Sequence, residues 1–464
     1  MKEFRKKYFG SRDFYRHVFT IMLPIMIQNA ITNFVNMLDN LMVGRIGTLE
    51  MTGVSIANQL LFVYNLCIFG AVSGAGIFAA QYYGSGNHEG VRNTFRFKVL
   101  ISMLLTAIGL GLFFFGGELL IGSYLRGEGN PADAAKALSF AQQYLRIMMI
   151  GFVPFALAQS FSGTLRETEK TLPPMAAGLT AVGVNLVLNY ILIFGHFGAP
   201  RLGVRGAAIA TVISRFTELA IVAGWTLRHK ERNPFIVDAF RGLFAIPGRL
   251  AKQITLKTIP LMINETMWAG GLAFLDQCYS LRSLSVVSAC NISNTFFNVF
   301  TVGFVSAGVA VGIIVGQDLG AGRIEEAKSD ARKLIMFSLI IGLSVGVVYF
   351  FVCPLFPQLY NTTQEVRDLA KSFLTICSFI MPADAVLNAS YFIVRSGGKT
   401  LITMIFDSGF VWTAQCVPAF FISRFTELPV VPFYALIQAM IFLKMMVGLF
   451  FVHTGFWIQN IVQE

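Results

Sequence analysis

Charge is scarce in this sequence. Only 13% of its 464 residues are Asp, Glu, Lys or Arg, about half the share found in soluble domains. A domain folded in water is therefore excluded. The two-residue alternation of a lipid-facing strand is also missing, which excludes a β-barrel. Histidines are few, and His17, His88, His196, His229 and His453 all fall in loops or at the ends of apolar runs. There is no His-Glu-x-x-His, no intramembrane Ser/His/Asp set and no P-loop. An enzyme is not expected, and ATP does not drive work from within this chain. The cysteines Cys67, Cys278, Cys290, Cys353, Cys377 and Cys416 stand singly, without metal or redox spacing. They read as small apolar packing residues. The first apolar run is too long for a signal peptide and no small-residue cleavage site follows it.

Apolar residues make up 55% of the chain. They form twelve runs, each long enough to cross hydrocarbon roughly 30 Å thick as a helix. The runs lie near 19–44, 54–83, 97–121, 137–163, 171–196, 204–228, 254–281, 288–319, 331–353, 366–395, 400–424 and 429–453. The net charge of +11 sits mostly on one side of them. Lys2, Arg5, Lys6, Lys7, Arg12 and Arg16 precede the first run. Arg92, Arg96, Lys98, Arg166, Lys170, the group between Arg228 and Lys257, Arg323, Lys328, Arg332, Lys333, Arg395 and Lys399 follow even-numbered ones. The positive-inside rule makes that side cytoplasmic, with both termini on it, in a plasma membrane. The charge faces anionic lipid headgroups rather than nucleic acid.

The chain repeats itself. Displaced by 236 positions, Pro24 falls on Pro260, Ile56 on Ile292, Asn58 on Asn294, Glu89 on Glu325 and Arg96 on Arg332. Gln81-x-x-Gly84-x-Gly86 falls on Gln317-x-x-Gly320-x-Gly322. Further along, Pro154 meets Pro382, and Arg166-x-x-x-Lys170-Thr171 meets Arg395-x-x-x-Lys399-Thr400. Six crossings return the chain to its starting side, so the two halves insert in parallel. The expected fold is all-α: twelve transmembrane helices in two pseudo-symmetric six-helix bundles with a cleft between them. The expected organisation is a cytoplasmic tail (1–18), a first lobe (19–228), a connector (229–253), a second lobe (254–455) and a closing tail (456–464). The connector holds an amphipathic Phe235–Phe244 piece expected to lie on the membrane surface. Glycines and alanines crowd the second and eighth runs, where small residues let helices approach closely.

Ionisable groups inside the runs are expensive and point to function. They are Asp39, Arg146, Arg215, Glu218, Glu265, Asp276, Asp384, Asp407 and Lys444. Arg215 and Glu218 are three apart and able to pair. Lys444 and Arg146 read as snorkelling or carbonyl-binding residues, and Asp276 as solvated near the outer end of its run. Glu265 and Asp384 lie near mid-span with no cation beside them on their own helices. Such acids bind cations or take up protons. Asn185-x-x-x-Asn189 shares one helix face, and Thr211 follows on the next run. With a carboxylate they offer the oxygens a small hard cation takes; interhelical hydrogen bonding is the equal alternative.

Several stretches together resemble the multidrug and toxic compound extrusion (MATE) family. They are Leu23-Pro24 with Asp39 and Gly44, Gln81-x-x-Gly84-x-Gly86, Asn185-Leu-Val-Leu-Asn189-Tyr-Ile-Leu-Ile-Phe-Gly195, Gly203-Val-Arg-Gly-Ala-Ala-Ile-Ala-Thr211 and Gly455-Phe-Trp457. The resemblance implies a V-shaped pair of lobes and export of organic cations or other amphiphiles by alternating access, in exchange for Na+ or H+. It implies no cofactor beyond that coupling ion. Asp39, Asn185, Asn189 and Thr211 match the family's N-lobe cation positions; Glu265 and Asp384 match its C-lobe acids. Na+ is then expected at Asp39/Asn185/Asn189 or at Glu265/Asp384, with Asn29, Asp276 and Asp407 as secondary candidates. Some members carry an acid where this chain has Asn189. The partners implied are small-molecule cargo and membrane lipid, and the chain is expected to act as a monomer. A flippase or exporter of a lipid-linked or other amphiphilic metabolite on the same fold is the alternative, kept open by Arg146 and Arg215. A channel suits the internal duplication less well than alternating access does.

Overall fold

The computed structural model describes residues 7–125, 131–360 and 362–463, without the side chains of Asn36, Met37, Asn40, Leu41 and Leu284. Lys2, Arg5 and Lys6 lie outside that set. Helices follow one another through these residues, and no strand occurs among them. The helices are α1 (Arg12–Gly44), α2 (Thr48–Gly84), α3 (His88–Tyr124), α4 (Pro131–Ile150), α5 (Phe152–Glu167), α6 (Leu172–Phe194) and α7 (Val204–Arg228). Then come α8 (Gly248–Ser280), α9 (Leu284–Gly320), α10 (Ile324–Val352), α11 (Gln364–Ser396), α12 (Thr400–Met404), α13 (Val417–Phe425) and α14 (Val430–Thr454). Ten stretches of the described residues are long and apolar enough to cross a membrane, and the pair α4–α5 makes an eleventh. The twelfth expected run is α8, as long as these but more polar, since it carries Lys252, Lys257, Asn264, Glu265 and Asp276.

Two expected single spans are irregular. The fourth breaks at Gly151, where α4 and α5 meet at 50°. Pro154 causes this: it has no N–H for the carbonyl of Ile150, and its ring crowds that carbonyl. The eleventh widens into π-helical turns at Ile405–Gly409 and Val411–Cys416. Pro418 removes the N–H owed to Ala414. Upstream, the Ser408 N–H turns to the Asn264 side chain at 3.3 Å. Such π turns often mark functional sites, and Asp407 lies in the first.

The described residues form two compact units. One holds residues 27–79 and 88–255 and is here the Asp39 unit; the other holds 1–26, 80–87 and 256–464 and is the Asp384 unit. The boundary falls within α1, two residues after Pro24. Hydrocarbon gives helices no hydrophobic reason to associate, so close packing and polar contacts must do so.

In the Asp39 unit, Tyr64 stacks on Phe152 at 4.1 Å within an apolar cluster from α2, α3, α4, α5 and α7. Beside it runs a ladder of polar contacts joining α3 to α5. Buried Lys98 binds Glu167 and donates to Thr164 at 3.2 Å. Ser102 meets Ser160 at 3.1 Å, and Tyr64 from α2 meets Thr106 at 2.9 Å and donates to the Phe152 carbonyl at 3.2 Å. The connector is built of turns over the expected amphipathic piece, with Phe240 and Phe244 exposed. It makes a 3-10 turn at Pro234–Ile236, with Phe235, Ile236 and Ala239 buried. Arg96 holds the turn by donating to the carbonyls of Ala239 and Asp238 at 2.9 and 2.7 Å.

In the Asp384 unit the repeated glycine motif explains itself. Gly84 lies against the main chain of Gln317, and Gly320 against the main chain of Gln81. A Cβ at either glycine would overlap a carbonyl group. The Gln81 side chain donates to Ser396 O at 2.9 Å and Gln459 O at 3.2 Å, and accepts from Ile461 N at 2.9 Å. Gly86 and Gly322 end the motifs with φ of 72° and 75°, a region that favours glycine.

Two consequences are measurable as thermal stability of the purified protein. Gly84→Ala or Gly320→Ala forces the crossing apart and is expected to cost about 3 kcal/mol, at the upper end of overpacking effects. Lys98→Met leaves Glu167 with an uncompensated buried charge and is expected to cost about 3–5 kcal/mol, while Lys98→Met combined with Glu167→Met stays near the wild type.

Candidate functional site

Each unit gathers a cluster of polar side chains. In the Asp39 unit the cluster depends on how α6 and α7 meet. Gly195 ends α6 with a φ of 77°, and Leu202 N returns to Leu192 O at 2.9 Å. Gly206 then passes so close to the Leu192 carbonyl that a Cβ would sit 2.6 Å from it. This close approach sets the register of the two helices and brings Thr211 beside Asn185. The Asn185 amide donates to Thr211 Oγ1 at 3.2 Å. Asn189, one turn along, donates to Asn185 Oδ1 at 3.1 Å and to Asp39 Oδ1 at 2.6 Å. With the Asn185 amide turned over, its nitrogen donates to both Asp39 oxygens at 3.1 and 2.9 Å, and its oxygen accepts from Thr211 at 3.2 Å. The four side chains singled out in the sequence thus converge from α1, α6 and α7. Asn29 does not join them: it precedes Asp39 by ten residues, about 15 Å along the helix.

The cluster opens on a cavity of about 310 Å³ whose wall includes Asp39, Asn58, Asn65, Tyr144, Asn189 and Arg215. Asn189 Oδ1 and Asn65 Oδ1 are buried and accept no hydrogen bond among the described residues. Orphaned oxygens of this kind call for a donor or a cation. Carboxylate, amide and hydroxyl oxygens together make a donor set that suits a small hard cation. Arg215 does not form the expected bridge to Glu218. It reaches instead into the α4–α5 break, where Nη1 donates to Gly151 O at 3.4 Å and the guanidinium lies 4.8 Å from the Phe155 ring centre. The same carbonyl also accepts the Phe155 N–H at 3.2 Å, so Arg215 adds a second donor to it at the bend.

In the Asp384 unit the central residue is Asp407, on the π-helical stretch. Lys444 of α14 donates to its Oδ1 at 2.6 Å, and Asn264 of α8 donates to its Oδ2 at 2.9 Å. Lys444 therefore neither snorkels nor caps a carbonyl; it spans helices to a half-buried acid. Glu265, next to Asn264, faces Tyr391 and Arg395 of α11 and also Asp407. Asp384 lies in the field of Lys444 and Asp407, with the Asn388 amide 3.4 Å from its Oδ1. Glu265 and Asp384 have Asp407 as a common neighbour, and no hydrogen bond joins them among the described residues. Asp276 is exposed farther along α8, beside Asn294.

Sequence reasoning missed four of these groups, Asn264, Asn388, Tyr391 and Arg395, and signals for each were present. Asp384, Asn388, Tyr391 and Arg395 recur every three or four residues, a polar stripe along one helix face. Asn264 adjoins Glu265. Arg395 was counted among basic loop residues, yet it lies buried in the last turn of α11.

The family model MatE matches residues 24–191 and 266–410, well over half of the chain. The chain belongs to the MatE family. MatE proteins are multi-pass membrane transporters for small molecules, and the chain is no enzyme. It is 25% identical over 453 residues to "Probable multidrug resistance protein NorM" of Thermotoga maritima, covering 95% of this chain and 93% of that one. It is 23% identical over 425 residues to "Probable multidrug resistance protein YoeA" of Bacillus subtilis, covering 90% and 88%. Among solved structures, a MOP-superfamily transporter from Pyrococcus furiosus superposes with a TM-score of 0.82 at 18% identity, covering 98% of each chain. The Vibrio cholerae MATE transporter VcmN superposes at 0.80 and 17%, covering 97% of this chain and 99% of that one. The twelve-helix MatE fold is thus shared even where little sequence is.

The Asp39–Asn189 bond is open to a direct test. Asn189→Leu removes a hydrogen bond to a charged group and is expected to lower stability by about 2 kcal/mol. An unchanged thermal midpoint for Asn189→Leu would mean that the bond does not form.

Proposed function

We propose that the chain exports organic cations or other toxic amphiphiles across the plasma membrane in exchange for Na+ or H+. The observation that carries this reading is the Asp39 cluster. A carboxylate held by Asn189 opens on a cavity together with an amide oxygen that lacks a partner. Ion binding there lowers the free energy of one conformation relative to another, and alternating access uses that difference to move cargo. The acids Glu265 and Asp384 answer the positive charge of the cargo or of a proton. The basic-rich side and both termini face the cytoplasm. The chain works as a monomer among membrane lipids, with no cofactor beyond its coupling ion.

One feature favours a second cargo. Arg215 lines the Asp39 cavity and forms no salt bridge among the described residues. A cation in that wall suits an anionic amphiphile such as a lipid-linked metabolite. The Pyrococcus furiosus transporter is itself described as having a binding pocket of reversed polarity that suggests a different function.

Proteoliposomes carrying the purified protein separate these readings. A fluorescent organic cation should move against its gradient when an inward Na+ or pH gradient is imposed, each tested alone. Asp39→Asn should abolish that movement. Transport indifferent to both gradients would discard ion exchange, and transport of an anionic amphiphile but no cation would favour the second cargo.

A further inference from the structure

The two polar clusters differ in how their carboxylates are balanced. In the Asp39 unit, Asp39 is met by amides and a hydroxyl, and one amide oxygen is left over. In the Asp384 unit, both oxygens of Asp407 already hold N–H donors: the Lys444 ammonium at 2.6 Å and the Asn264 amide at 2.9 Å. The Lys444 side chain is 7% exposed and that of Asp407 18%, so water screens the pair less than it would at the surface. The same ammonium faces Asp384, while Arg395 faces Glu265. Three acids thus share two resident cations.

We propose that Lys444 is a tethered counter-cation that occupies the place a mobile Na+ would take in this unit. It thereby makes the Asp384 unit independent of Na+ and confines any Na+ site to the Asp39 unit. This rests on the reading of the chain as an ion-coupled transporter.

Three features support it. The first is charge. An ammonium and a sodium ion each bring one positive charge, and two of them within a few ångströms repel strongly where water is excluded. The second is chemistry. Na+ needs converging oxygen lone pairs, whereas N–H groups occupy the oxygens of Asp407, and N–H hydrogens repel a metal ion. The third is anchoring. Gly448, one turn after Lys444, lies against Ser390 of α11 and Phe406, with a Cβ expected 3.1 and 2.9 Å from them. The ammonium also lies 6.0 Å from the Phe406 ring centre. Close packing one turn away fixes this part of the helix, and the lysine is itself buried, so the charge is part of the scaffold rather than a mobile surface group. Replacing Lys444 with a neutral residue leaves Asp407 and Asp384 near each other without that cation, and a free cation then has a place to enter.

The test is a binding measurement on purified protein, so it does not depend on transport. It starts from an Asp39→Asn protein, which lacks the other unit's carboxylate. At alkaline pH, where a proton does not neutralise the acids, this protein should show no saturable binding of radioactive sodium. Its thermal midpoint should be the same in sodium and choline chloride. Adding Lys444→Met should create saturable binding, at least about tenfold stronger than in the parent, and sodium but not choline should raise its midpoint. Adding Asp407→Asn as well should remove both effects. Saturable sodium binding by the Asp39→Asn parent that Asp407→Asn abolishes would overturn the proposal. So would a folded Lys444→Met protein that binds no sodium. If Lys444→Met folds only in sodium, the proposal stands; if it folds in neither salt, the parent decides, since sodium binding there overturns the proposal and its absence supports it. Failure of transport coupling with these binding results intact would count against the exporter reading alone.

Discussion

Hydrocarbon offers no water to a charged or polar group, and the rest of this molecule follows from that. A buried charge or polar group is costly unless the same chain supplies its partner. Lys98 finds Glu167, Asp39 finds Asn189, Asp407 finds Lys444, and Arg215 finds the carbonyl of Gly151. These contacts join helices that the hydrophobic effect alone would leave indifferent to one another. They also place the chemistry, because a polar group that must be answered in hydrocarbon is held in a fixed position.

The helices were legible in the sequence because long apolar runs report directly on hydrocarbon thickness. Their departures from regularity were less so. Pro154 signals a disturbance, but not that Arg215, sixty-four positions on from Gly151, reaches the carbonyl at the bend. The π turns near Asp407 need Asn264, more than a hundred residues away, to take the Ser408 N–H. Likewise, α1 reads as one uninterrupted run from either side of Pro24. That its first half packs with residues of α9, α10 and α11 is a matter of tertiary contact.

The candidate site shows the same division. Asn185 and Asn189 could be placed on one face from spacing alone, and Thr211 and Asp39 were selected by residue type in an apolar setting. The contacts among them required Gly206 and its approach to Leu192. Lys444 shows the limit most clearly. A lone lysine near the middle of an apolar helix is compatible with snorkelling, carbonyl binding or an ion pair, and nothing on its own helix chooses among these. The choice is made by Asp407, 37 positions earlier, on a stretch whose helical phase is itself altered by Pro418 and Asn264.

The crossing of Gly84 and Gly320 carries a consequence of a different kind. Gly84 meets Gln317 and Gly320 meets Gln81, and these pairs exchange under the same displacement of 236 positions that relates the repeats. Residue i touches j while the copy of j touches the copy of i. That is the arithmetic of an isologous interface, the kind that joins two identical subunits about a twofold axis. Here both subunits are one polypeptide. Each half-sequence therefore carries both sides of this contact, and a half expressed alone presents a surface complementary to its own copy.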